Sequence, residues 1–233
     1  MSGRSVARWT GVLGLAAIVV QIVAAVVSSA AGSAPDVDDA TKLLAYAQNA
    51  HFVGTTVLLL FFLGFSLFIG FNAGLRAIAV EAAPKHEWLA TTTFGAGIAI
   101  AVIGVVGLGL GLAALAIAAG SHADAALVRL LFEVELVYGG APWLVPAAFY
   151  LAAAGSLAAA TRILPRWLAL AGWIGSVLVF IAALSGYGSS DPEAFWSANG
   201  GVTLVAFLPF WVWTLCASVV LVRQKGIVAS GPA

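Results

Sequence analysis

The chain has 233 residues, 62% of them hydrophobic and 9% charged, with ten Lys and Arg balancing ten Asp and Glu. A soluble domain carries about 25% charged residues, so this composition excludes an ordinary water-soluble globule. The absence of net positive charge excludes a partner held through nucleic-acid phosphates. A single cysteine, Cys216, excludes an intramolecular disulfide and any metal site built on a cysteine pair.

Charge-free apolar stretches occupy 9–31, 52–75, 91–120, 138–161, 167–187 and 201–222. Each is long enough to span a bilayer, because about 20 residues at 1.5 Å rise cover a ~30 Å hydrocarbon core. The expected fold is all-α: one polytopic transmembrane helical bundle over 1–233, with six spans. The first stretch ends in Ser28-Ser29-Ala30, followed by Ala31-Gly32, which resembles a signal-peptidase site. Its apolar run exceeds the roughly 7 to 15 residues of a signal h-region, so an uncleaved anchor is expected. Gln21 lies mid-span and reads first as an interhelical hydrogen-bonding residue, and second as a weak ligand candidate.

Between the first two spans, 36–50 reads as a helix capped by Asp36 or Asp38, with Leu43, Leu44, Ala47 and Ala50 as its apolar stripe. It runs into the second span either straight or with a bend near Gly54. In the third span Gly107 and Gly111 form a GxxxG pair, which lets a neighbouring backbone approach closely and predicts a central position for that helix. Gly172 with Ser176 in the fifth span, and Ala148, Ala152 and Gly155 in the fourth, are expected to supply facing surfaces. A helix over 124–161 would be about 55 Å long at 1.5 Å per residue, and Gly139-Gly140-Ala141-Pro142 is the expected kink. In the sixth span Phe207, Phe210, Trp211 and Trp213 are read as packing or lipid contacts, with an apolar ligand pocket as the alternative.

Threading the spans alternately puts Arg4, Arg8, Arg76, Lys85, Arg162, Arg166, Arg223 and Lys225 on the side of both termini, and only Lys42 and Arg129 opposite. Asp36, Asp38, Asp39, Asp124, Glu133, Glu135, Asp191 and Glu193 fall on that opposite side. The positive-inside rule then makes both termini cytoplasmic. The order of charges, Pro and Trp along spans two and three recurs along spans four and five. A duplicated hairpin would produce this, as would the ordinary punctuation of cytoplasmic turns.

Candidate ligand-binding residues gather near the outer end of the fourth span. Arg129 precedes Glu133 by one helical turn and can pair with it, while Tyr138 places a hydroxyl one turn below Glu135. Two carboxylates at a membrane edge can take a cation or relay protons. Positions i and i+2 point about 200° apart on a helix, so Glu133 and Glu135 cannot form a dyad without a partner helix. His51 joins them as a residue at the mouth of the second span. His51 and His122 are expected outside and His86 inside, so the three cannot share a metal, and neither metal nor cofactor is expected. HExxH, GxSxG and Walker motifs do not occur. Gly186-Tyr187-Gly188-Ser189-Ser190 reads as a turn.

Three stretches resemble a group of uncharacterised six-helix integral membrane proteins common in high-GC actinobacteria. They are 39–46 leading to Leu75-Arg76, 130–138 with Gly140-Ala141-Pro142, and Ile163-Leu164-Pro165-Arg166-Trp167-Leu168. The resemblance implies a fold and a bacterial plasma-membrane location, and transfers no catalytic residue. The expected role is non-enzymatic association with lipid, a second copy or another membrane protein. A small-molecule carrier with a pocket among spans two to five is the alternative. A membrane-embedded hydrolase using Glu133, Glu135 or His51 is the third reading, and it requires those side chains within hydrogen-bond reach.

Overall fold

A computed structural model describes residues 3–30, 39–187, 195–196 and 201–224, which contain helices and turns but no strand. Arg4, Asp36, Asp38, Asp191, Glu193 and Lys225 bear on the charge pattern, but the side chain of Arg4 and the other five residues lie outside that description. So do the end of the motif that resembles a signal-peptidase site and most of the Gly186–Ser190 segment.

The helices are α1 (Gly3–Ala30), α2 (Ala40–Asn49), α3 (His51–Ala82), α4 (Glu87–Ala118), α5 (Ala125–Gly139), α6 (Ala141–Thr161), α7 (Arg166–Ala183) and α8 (Gly201–Arg223). One 3-10 turn at Pro84–His86 joins α3 to α4, and another at Leu184–Tyr187 follows α7. Among the described residues, six stretches are long and apolar enough to cross a membrane: Ser5–Ser29, His51–Ala82, Pro84–Ala118, Ala125–Thr161, Arg166–Ala183 and Val205–Arg223. All six expected spans are therefore present, with the second running past Leu75 and the third beginning before Thr91.

The two short helices, α2 and α5, lie at the same end of the bundle, against each other and against α4. Asp39, rather than Asp36 or Asp38, caps α2 by accepting from the Lys42 backbone N–H at 3.0 Å, which holds its carboxyl below the usual carboxylate range. Asp124 caps α5, accepting from the N–H groups of Ala126 and Leu127. Leu43, Ala47 and Ala50 are buried, so three members of the α2 stripe do face the bundle. The bend into α3 falls at Ala50, where ψ is 1°, and not at Gly54. Gly54 instead sits inside α3, where a Cβ would lie 2.7 Å from Leu115 Cδ1 of α4. The expected kink does occur at Gly140, whose ψ of −132° separates α5 from α6.

The long helices form a closed ring in the order α1, α3, α4, α6, α7, α8 and back to α1. Phe68 and Phe71 of α3, Tyr150 and Trp143 of α6, and Phe210 and Trp213 of α8 meet at its centre. Trp213 is 1% exposed and donates through Nε1 to the Leu168 carbonyl at 2.9 Å. The sixth-span aromatics Phe210 and Trp213 are thus core, as the packing reading expects.

Glycines decide how closely the ring closes. The span containing α6 is the most buried of the six, displacing the expectation that the third span is central. A Cβ on Gly172 would lie 2.9 Å from Gly155 Cα, so α6 and α7 touch backbone to backbone. Gly172 therefore serves α6 and not the third span; Gly175, one turn on, is buried between Pro209 of α8 and Leu151 of α6, while Ser176 is only half-buried. The Gly107 and Gly111 pair of α4 receives α5 of the same chain: a Cβ on Gly107 would lie 2.8 Å from Tyr138 Cβ.

Candidate functional site

Glu133 and Glu135 leave α5 on different sides, as helical geometry requires. Glu133 Oε1 accepts from Arg129 Nε at 2.7 Å, and both side chains are more than a third exposed. This ion pair contributes at most about 1 kcal/mol. Glu135 turns inward onto α4, where a Cβ on Gly111 would lie 2.6 Å from its carboxyl carbon. A side chain at position 111 would displace that carboxylate from its present place. Tyr138, one turn along α5, rests on Gly107 in the same groove.

His51, at the first turn of α3, lies beside the next turn of α4. Its Nδ1 is 3.1 Å from the Leu115 carbonyl oxygen. A carbonyl only accepts, so Nδ1 carries the proton. His51 and Glu135 thus flank neighbouring turns of one helix, yet no hydrogen bond joins His51, Glu133 and Glu135 among the described residues. The arrangement the hydrolase reading requires is not formed. Nor do three His, Cys, Asp or Glu side chains gather for a metal ion among the described residues.

Gln21 is buried far from these groups. Its Oε1 accepts from Trp211 Nε1 of α8 at 2.9 Å, and its stem fills the space left by Gly64 of α3. The interhelical reading of Gln21 accounts for this position.

Two hollows remain. One, of about 180 Å³, lies at the α2/α5 end among α1 to α5, with Glu135, Ser28 and Tyr46 as its polar lining and Phe61 and Phe132 among its apolar walls. Sequence reasoning placed a carrier pocket among spans two to five, gated near Gly139 to Pro142; this cavity instead involves spans one to three and the outer part of span four, and neither span five nor Gly139 to Pro142 lines it. The other is a groove of about 610 Å³ between α7 and α8, with Trp167 and Trp196 in its lining and Ala171, Gly175, Ala206 and Pro209 among the residues between. Ionisable groups in its lining are limited to the thiol of Cys216. The alternative reading of an apolar pocket at the sixth-span aromatics reaches this groove through Trp213 alone; its α7 wall went unnoticed, although Gly175 and Pro209 mark where it forms, small residues on α7 facing a helix whose proline lacks an N–H. No protein-family model matches this chain, and no curated protein or solved structure matches it either.

Proposed function

We propose that this is a multi-pass protein of a bacterial plasma membrane, with both termini cytoplasmic, that acts without catalysis by associating with lipid through the groove between α7 and α8. The groove supports this reading because it is apolar and runs along helices that themselves have membrane-crossing length. Trp167 opens α7 and Trp196 precedes α8, and tryptophan favours the two interfaces of a bilayer. An acyl chain lying between them would bury its methylenes against aliphatic side chains without desolvating a charge. The neighbouring face of α7 exposes Ile174, Val177, Leu178, Phe180 and Ile181, a patch suited to hydrocarbon rather than water.

The filled aromatic centre favours association over transport through the middle of the bundle. The Leu-Pro-Arg-Trp-Leu turn supports grouping the chain with the actinobacterial six-helix proteins, and the repeated pairing of a short helix with a long span supports a duplicated hairpin. Native mass spectra of the purified protein, stripped with increasing detergent, test the lipid association. One lipid should persist on the unaltered chain and leave readily from Ala171→Phe, which fills the groove. Equal release from both would remove the groove reading.

A further inference from the structure

The cavity at the α2/α5 end is lined by a carboxyl group with no hydrogen-bond or ion-pair partner among the described residues. Glu133 is engaged by Arg129, whereas no hydrogen bond or ion pair reaches Glu135 among the described residues. The carboxylate rests against the bare backbone of Gly111, where the missing side chain leaves it room in the groove. A half-buried carboxyl of this kind is favoured in its ionised form by a cation placed beside it.

The chemistry of the walls selects among cations. Calcium takes six to eight oxygen ligands and magnesium near-octahedral coordination, but this lining offers one carboxylate and the hydroxyls of Ser28 and Tyr46. Tyr46, Phe61 and Phe132 instead contribute aromatic rings to a volume of about 180 Å³. Aromatic residues lining one cavity with a single counter-charge are the kind of lining that retains alkylated ammonium groups. We propose that this cavity binds a small organic ammonium group, with Glu135 as its counter-ion and Tyr46, Phe61 and Phe132 as its aromatic wall. The group belongs either to a free amine or to the headgroup of a membrane lipid.

Calorimetric titration of the full chain with tetramethylammonium chloride, in nanodiscs made only of phosphatidylglycerol and at constant ionic strength, tests the free-amine source. Saturable binding is expected, weakened at least tenfold by Glu135→Gln. Native mass spectra from nanodiscs that also contain phosphatidylcholine test the headgroup source: one such lipid should be retained by the unaltered chain and lost from the variant. Should Glu135→Gln not fold, Gly111→Ala takes its place, since the new Cβ displaces the carboxylate. Absence of saturable binding in both arms overturns the proposal, as does equal binding by the variant or displacement of tetramethylammonium by equimolar sodium. Ala171→Phe should leave the tetramethylammonium response intact, so the cavity and the α7–α8 groove succeed or fail separately.

Discussion

Gln21 ties the first span to the last through one amide, and the worth of that tie is measurable. In hydrocarbon the lost hydrogen bond has no water to replace it, yet measured interhelical bonds average only about 0.6 kcal/mol. Gln21→Leu and Trp211→Phe should each lower stability by about 1 kcal/mol in reversible unfolding. Their combination should cost less than the sum, because each single change already removes the same 2.9 Å bond. The sequence shows that a lone amide in an apolar span wants a partner, but not that the partner is a tryptophan 190 residues away. Glu135 has the same history. Helical spacing alone turns it away from Glu133, while its seat on Gly111 depends on two helices meeting, and each residue stands out in the sequence for a different reason.

Breaks and close contacts between elements divide along similar lines. The bend at Gly140 is legible because Gly139, Gly140 and Pro142 crowd one site, and Pro142 brings no N–H to the helix. The bend at Ala50 is not, since alanine is the best helix former and the apolar pattern continues on both sides. It follows from tertiary packing: α2 lies against α5 and α4 while α3 enters the ring. The Gly155–Gly172 contact sets a sharper test of an interface. Gly172→Leu forces a side chain into the Leu151 carbonyl, 2.8 Å from where its Cβ must sit. Overpacking of this kind costs about 1–3 kcal/mol, so the thermal midpoint should fall, whereas Ser176→Leu on the same helix should change it little.

For the whole molecule, the pattern of apolar faces is legible from composition and the ring order is not, because every span is apolar enough to sit anywhere in a bundle. Charge adds direction. A green fluorescent protein fused after Ala233 should fluoresce in intact bacteria, since that reporter matures in the cytoplasm. A dark fusion, with an alkaline phosphatase fusion active at the same point, would invert the assigned orientation. The α6–α7 contact also has a mechanical meaning. Thr161 and Arg166 are joined by a turn whose Arg162 adopts a φ of 56°, so the chain reverses at once and lays α7 directly on α6 with no side chain between Gly155 and Gly172. Two helices so joined behave as one rod: they can enter the bilayer as a finished hairpin, and under an applied pull they should come out of it together.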